Sequence, residues 1–508
     1  MANLYYVCQR GGDAGIGVEQ GGGRVVELYH CKKGGDMVGI TSYGGYVPLY
    51  RLARDEVARA WGTASLGGEK AVANFDEDSI TMAVSAAMDC LKGLDARKVD
   101  ALYLASTTLP FKEKQSAATV ATAADLPRNA LTLDVTGSLR SGTLALRTAL
   151  DAVKSGSARQ ALMVAVDCRL GMPGTDYEQA FGDGAAALMI GSSGVVAEIE
   201  GVYTHFNELL DNWRVETDRY VKSWEERFIV AEGYQANVEE AVAALFEKHK
   251  LSAKDFSRIA LYAPDARRHR EMAAELGLDY KAQLSGELFA QVGNTGTALP
   301  VMMLVRALEE ARPGERILLI SYGDGCDAFV LRVTDEIEKV RQRRGVKGYL
   351  QSKRQLHNYE TYVRYKQLMS VETGRKRQPP ISSAALLWRE RRAYLGLYGS
   401  RCCKCGRLFF PPQRICYYCQ AKDDYEPVRL AGMKGKLDTF SKDVLSLSLD
   451  PPTVVSVVNL EGGARFAGQM TDRDPDAVKV GMEVELTLRK FHEAEGYPNY
   501  FWKCQPVR

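Results

Sequence analysis

Residues 131–146 read LTLDVTGSLRSGTLAL. An apolar run at Leu131–Val135 leads through a turn at Gly137 into a second apolar run of helical spacing, with Gly142 at the joint. Glycine at such a joint lets the backbone bend sharply or pack closely. The stretch reads as a strand-to-helix elbow that presents one side chain at a helix N-terminus. Backbone N–H groups there favour developing negative charge and lower a thiol's pKa. The position suits a thiolate nucleophile, yet the elbow contains no cysteine.

On either side of the elbow, strands and helices alternate from Met37 to about Val333. Ser79–Leu94 has helical spacing and Val99–Ser106 reads as a short buried strand. Ala161–Val166 and Gly182–Ile190 read as strands. The pattern then recurs, with an amphipathic helix at Val238–Lys248, a strand at Ser257–Ala263 and a helix at Leu299–Ala311 after a GNTG loop. Arg316–Ser321 and Asp327–Arg332 follow as strands around YGDGCD. Two successive sets of similar order predict a duplicated, layered α/β domain over 37–335.

Glycine-rich residues 1–36 read as a disordered or non-native extension, with Met37 an alternative start. Residues 336–380 interleave Lys and Arg with Tyr349, Tyr359, Tyr362 and Tyr365. This pattern predicts an amphipathic basic helix and linker, some of whose cations could meet a coenzyme's phosphates. A helix over Ile381–Tyr398 precedes CCKCGRLFFPPQRICYYC, so that 381–427 forms a helix plus a metal ribbon. Cys402, Cys405, Cys416 and Cys419 make two CxxC pairs. Two such knuckles complete a tetrahedral four-sulfur site that suits zinc, and four protein ligands leave it closed and structural. Cys403 is a bystander that could replace Cys402 in its pair. From 428 to 508, β-branched and polar residues alternate in about five short runs, the pattern of a small OB-type barrel. That segment lacks the dense basic-aromatic face of a nucleic-acid binder.

A length of 508 residues implies two or three domains, and a net charge of +2 gives no overall pull toward nucleic acid or membrane. No apolar run approaches the roughly 20 residues needed to span a bilayer and no signal-peptide layout precedes the first domain, so a cytoplasmic location is expected. Six of the eleven cysteines are scattered and five crowd into Cys402–Cys419, which fits reduced thiols and one metal site.

Several motifs together resemble 3-hydroxy-3-methylglutaryl-CoA synthase of the archaeal and bacterial type, in the thiolase superfamily. They are MVGITSYGGYVPLYRLARDEVARAWG, FDEDSITMAVSAA, ALYLASTTLPF, YEQAFGDGAAALMIG, VGNTGTALP and ILLISYGDGCDAF. The resemblance spans roughly Met37–Met369. From about Ile381 onward the chain resembles the zinc-ribbon/OB proteins that accompany thiolases and thiolase-like aldolases, here fused to the synthase-like part. The resemblance implies a thiolase-like duplicated fold followed by a rubredoxin-like ribbon and a barrel, a homodimeric core and acyl-CoA as ligand. It also implies three reactive groups: a cysteine to carry the acyl group, a histidine and a glutamate. Those positions fall on Leu139, Tyr262 and Thr107, and only the asparagine of the GNT loop remains, as Asn294.

Leucine cannot act as a nucleophile and a threonine hydroxyl cannot serve as a general base near neutral pH, so no catalytic residue of the synthase kind is expected. Ser138 and Ser141 flank Leu139 but would need a base that the matched positions do not supply. Cys168 reads as a packing residue. His269, among Arg267, Arg268 and Arg270, reads as part of a solvated helix face or a phosphate contact. The expected function is therefore a non-catalytic, acyl-CoA-handling subunit. Its ribbon and barrel would bind CoA and dock a separate catalytic thiolase that forms or cleaves a β-ketoacyl-CoA. The alternative is a divergent carbon–carbon bond-forming or bond-cleaving enzyme that uses Tyr262 and Asn294. An RNA-binding role is the weakest reading.

Overall fold

The computed structural model describes residues 37–508 except 285, 371–380 and 447. The expected extension at 1–36 and the 371–380 part of the linker lie outside the described residues.

The synthase-like part is organised on a nine-stranded sheet. Its strands are β1 (Gly39–Tyr46), β2 (Ala101–Ala105), β3 (Leu131–Val135), β4 (Gln160–Asp167) and β5 (Gly184–Gly191), then β6 (Ala197–Phe206), β7 (Arg258–Leu261), β8 (Arg316–Tyr322) and β9 (Gly325–Val333). Their spatial order is β7-β8-β9-β6-β1-β5-β4-β2-β3. β2 pairs with β4 in parallel as β7 does with β8, and antiparallel neighbours follow in each case (β4–β5–β1 and β8–β9–β6), so the two halves repeat one plan, with β3 added in parallel beside β2 at one edge. β4 and β5 are buried along nearly their whole lengths and read as continuous apolar runs, as strands covered on both faces must.

Helix α1 (Ser79–Leu91) is enclosed on almost every side and is built of small and apolar residues. Asp78 starts it with a capping box, accepting from Thr81 N. Helix α2 (Ser141–Lys154) follows the elbow, α3 (Ala236–His249) and α4 (Ala266–Glu275) follow the midpoint of the domain, and α5 (Leu299–Glu310) follows the GNTG loop. The elbow forms as read: β3 ends at Val135, Gly137 takes φ +92°, and α2 begins at Ser141. A Cβ on Gly142 would lie 2.7 Å from Thr297 O, so α2 closes on the GNTG loop only because that position is glycine. β3 is an edge strand, with Leu131 57% and Leu133 40% exposed.

The single basic helix expected after Val333 does not form. The chain instead makes a 3₁₀ turn at Asp335–Val340, short helices at Gly345–Gln351 and Tyr359–Tyr365, and a two-residue strand between them. Tyr349 packs edge-on against Tyr46, while Tyr359, Tyr362 and Tyr365 of the second helix enter one cluster, in which Tyr365 meets Tyr50 edge-on and Tyr359 donates to Glu178 at 2.7 Å. Tyr362 lies under the Lys70 ammonium. Three of the cations considered for a coenzyme's phosphates are spent internally. Arg343 donates to the carbonyls of Asp89 and Lys92, Arg344 pairs with Glu485, and Arg341 bonds Glu338 and the Ala311 carbonyl. The helix expected over Ile381–Tyr398 is two short ones, Ala384–Arg389 and Arg391–Tyr394, and a strand begins at Tyr398.

The ribbon strands are β10 (Tyr398–Cys402), β11 (Leu408–Phe409) and β12 (Tyr425–Arg429), ordered β11-β10-β12. Five more strands close a barrel: β13 (Lys434–Asp443), β14 (Thr453–Leu460), β15 (Arg465–Met470), β16 (Glu483–Ala494) and β17 (Tyr497–Pro506), in the order β13-β14-β15-β17-β16. In β14 alternate residues Val454, Ser456, Val458 and Leu460 turn inward, the period-2 pattern of a filled barrel.

The barrel sits on the loop Asn74–Asp78 that leads into α1. Lys503 pairs with Asp76 at 2.9 Å, Tyr500 donates to Asp78 at 2.7 Å, and Asn74 donates to Asp472 at 2.9 Å. Arg489 pairs with Glu77 and, at 2.6 Å, with Asp472, all three side chains being at most 1% exposed. Trp502 donates to the Leu395 carbonyl and is fully buried, joining the barrel to the segment before the ribbon.

Candidate functional site

The positions matched to the synthase reagents all lie just past the ends of sheet strands, Leu139 after the edge strand β3 and Tyr262 after the opposite edge strand β7. Thr107 follows β2, and its hydroxyl and backbone N–H both donate to Asp167 Oδ1, at 3.1 and 2.7 Å. Ser106 and Thr108 donate to the same oxygen, and Thr297 N donates to Oδ2. The nearest carboxylate to the vacated glutamate position is thus committed to five donors. Asn294 is buried, accepts from Gly296 N at 2.8 Å, and donates to Pro264 O at 2.9 Å and more loosely to Tyr262 Oη at 3.4 Å.

Leu139 is packed beneath the Gly323 backbone, where a Cβ on Gly323 would come within 3.0 Å of it. Ser138 and Ser141 do not replace the missing nucleophile. Ser138 Oγ donates to Gly323 O and Ser141 Oγ to Ser138 O, so both hydroxyl protons are held by carbonyls. The elbow itself is clamped by Arg140, which reaches His205 O at 2.8 Å and Asp327 at 3.1 Å, while Thr143 holds the other oxygen of Asp327. Cys168 lies 3.4 Å from Ser79 Oγ, and burial pushes its thiol up, away from the thiolate form.

His269 departs from expectation. It points inward, fully buried between Tyr280 and Phe289, while Arg267 and Arg270 are exposed and Arg268 pairs with Glu226. Burial pushes its pKa down to about 4, so it is a neutral packing imidazole and no phosphate contact.

Beside this cluster opens a cavity of about 890 Å³ whose wall includes Tyr177, Asp211, Tyr234, Tyr262, Arg268 and Tyr322. Tyr262 is the one matched position on the wall, with Asn294 directly behind it; Thr107 and Leu139 lie outside the lining. Burial raises the Tyr262 pKa, so the phenol holds its proton and is a donor, not a base. Tyr322 stacks on Tyr262 with ring centroids 6.4 Å apart. Asp211 and Tyr322 were not singled out from the sequence, because Asp211 belongs to an irregular stretch without periodicity and Tyr322 ends an apolar strand. Asp167 was missed for a similar reason, as the last residue of β4.

The four ribbon cysteines converge as their spacing requires. Cys402 and Cys419 sulfurs are 3.6 Å apart, Cys405 and Cys416 sulfurs 3.5 Å, and all four lie within 4.8 Å of one another. A tetrahedral zinc with bonds of about 2.3 Å places sulfurs about 3.8 Å apart, so the set fits zinc. The two knuckles share one hydrogen-bond plan. Cys402 O accepts from Gly406 N and Cys402 N donates to Arg407 O, while Cys416 O accepts from Gln420 N and Cys416 N donates to Ala421 O. Cys403 is exposed and outside the cluster.

The architecture matches solved thiolase-type structures. An HMG-CoA synthase complexed with CoA superposes with a TM-score of 0.59 at 18% identity, over 68% of this chain and 94% of that one. The fold is therefore of the thiolase type. In sequence, the hydroxymethylglutaryl-CoA synthase of Pyrobaculum arsenaticum is 32% identical over 320 residues, 61% of this chain and 91% of the relative. That of Methanocaldococcus jannaschii is 32% identical over 346 residues, 66% of this chain and all of the relative. Residues 427–489 match the family described as ChsH2, C-terminal OB-fold domain. The chain belongs to the hydroxymethylglutaryl-CoA synthase family, extended by a Cys₄ ribbon and an OB-type barrel.

Proposed function

We propose that this protein is an acyl-CoA-binding subunit of a heteromeric thiolase complex, and that its own synthase site carries out no acyl transfer. The observation that carries the reading is Leu139, a hydrocarbon side chain at the elbow, with no thiol, imidazole or carboxylate at the other matched positions, Thr107 and Tyr262. The cavity beside it remains open, with arginines of α4 at its edge where a coenzyme's phosphates would be met. The nucleophilic cysteine would belong to a separate thiolase that forms or cleaves a β-ketoacyl-CoA, docked by the ribbon and barrel, which would share in holding its CoA. Zinc in the ribbon would be structural, with Cys402, Cys405, Cys416 and Cys419 as ligands and no open position for substrate. The exposed apolar edge β3 supports a homodimer formed by sheet continuation. The domain division 37–335, 336–380, 381–427 and 428–508 belongs to the same proposal.

The second reading, an enzyme that makes or breaks a carbon–carbon bond with Tyr262 and Asn294, is favoured by their contact at the cavity wall. The raised Tyr262 pKa restricts that residue to proton donation. Purified chain, alone and mixed with any thiolase encoded nearby, is assayed for acyl-CoA cleavage. Activity confined to the mixture and insensitive to Leu139→Ala is the expected result. Turnover by the chain alone that is lost in Tyr262→Phe would replace the first reading by the second.

A further inference from the structure

Asp211 is 6% exposed and lines the cavity. Its Oδ1 accepts from the backbone N–H of Asn212, and the Tyr322 phenol is turned toward the same carboxylate. Among the described residues nothing donates to Oδ2. A buried acceptor left without a donor costs about 1–3 kcal/mol, and more when it is charged. The unmet demand is therefore for a donor arriving from the cavity. On the same wall the Tyr262 hydroxyl has the opposite character. It takes only a long contact from Asn294, its proton has no acceptor among the described residues, and burial keeps that proton in place. Tyr322, stacked between them, fixes the two groups in one wall.

A ligand that satisfies this wall must offer both an acceptor and a donor near its reactive end. A 3-oxoacyl thioester offers two carbonyls and no donor. A 3-hydroxyacyl thioester offers a carbonyl for Tyr262 and an O–H for Asp211. We propose that Asp211 is the residue that sets acyl specificity, making the cavity select a 3-hydroxyacyl thioester over its 3-oxo counterpart. The inference rests on the acyl-CoA-binding reading and names the acyl class that this site holds. It also separates the two sites of the proposed complex, since the thiolase partner handles the 3-oxo form.

The test is calorimetric titration of the full chain with 3-hydroxybutyryl-CoA, acetoacetyl-CoA and CoA. One hydrogen bond to a charged group corresponds to at least about tenfold in affinity, so 3-hydroxybutyryl-CoA should bind about tenfold tighter than acetoacetyl-CoA. Asp211→Asn replaces the acceptor oxygen by an amide donor, and should remove or invert that ratio while CoA itself binds as before. Tyr322→Phe should reduce the ratio without abolishing it, and serves if Asp211→Asn does not fold. Equal affinities for the two acyl-CoAs in the unaltered chain would overturn the assignment and leave Oδ2 to a water molecule. An unchanged ratio in Asp211→Asn would overturn it too. Failure of all three ligands to bind would instead overturn the acyl-CoA-binding reading on which it rests.

Discussion

Arg489 is the side chain whose loss most directly tests how the barrel is held. Its guanidinium pairs with Glu77 on the synthase-like part and with Asp472 on the barrel, and it also reaches Gln505 at 3.0 Å. The Arg489→Met variant preserves most of the volume and removes the charge, leaving two carboxylates at most 1% exposed without their cation. Breaking a buried pair on one side costs about 3–5 kcal/mol, because the remaining charge is stranded. At 1.36 kcal/mol per decade, this is roughly two to four decades in the equilibrium for lifting the barrel off the loop. Hydrogen exchange read by mass spectrometry over residues 74–91 and 483–506 should show protection falling by that factor, with the β4 and β5 core unchanged. Adding Glu77→Gln and Asp472→Asn should restore most of the loss, since the neutral trio no longer buries unpaired charge. Protection in Arg489→Met within tenfold of the original would refute the reasoning, as would a triple variant weaker than the single one.

The purified chain should contain one zinc per molecule by elemental analysis. Cys402→Ser and Cys416→Ser should lose it and unfold the ribbon, whereas Cys403→Ser should retain it, because Cys403 lies outside the cluster. His269 titrates at about 4 in the folded chain against about 6.5 when unfolded. The unfolded state therefore binds the extra proton between these values. Its contribution is whole above pH 6.5 and is lost as pH falls toward 4, about 3 kcal/mol in all; denaturant titrations of His269→Leu should lack that part of the pH slope. Changing Leu131 and Leu133 together to Lys should convert a dimer to a monomer in light scattering with little change in melting temperature, because both side chains are already exposed. A dimer that survives the change would remove β3 from the interface.

The elbow, the ribbon and the barrel were legible because each is written locally. Residues 131–146 change hydrophobic period across a glycine joint, the CxxC pairs fix their own geometry, and β14 alternates residue by residue. The burial of the acidic run Asp76–Asp78 is not written locally, because Arg489, Lys503 and Tyr500 meet it from more than 400 residues away. The tyrosine-rich segment after Val333 has helical spacing, but Tyr349 packs on Tyr46 while Tyr359, Tyr362 and Tyr365 pack together elsewhere, and the helix breaks between the two groups. His269 shares its inward face with Met272 and Ala273, a periodicity hidden by three adjacent arginines. The cavity was the least visible feature. Asp211, Tyr262 and Tyr322 come from three segments, and only Tyr262 stood at a position that the resemblance could mark.

That the protein binds acyl-CoA but cannot carry the acyl group is tested by intact-mass spectrometry of the full chain with acetyl-CoA, under native and then denaturing conditions. The expected result is a non-covalent complex of one acetyl-CoA per chain that disappears on denaturation and leaves the polypeptide at its unmodified mass. An acetyl increment that persists on the denatured chain would show a nucleophile in place of Leu139 and contradict the account.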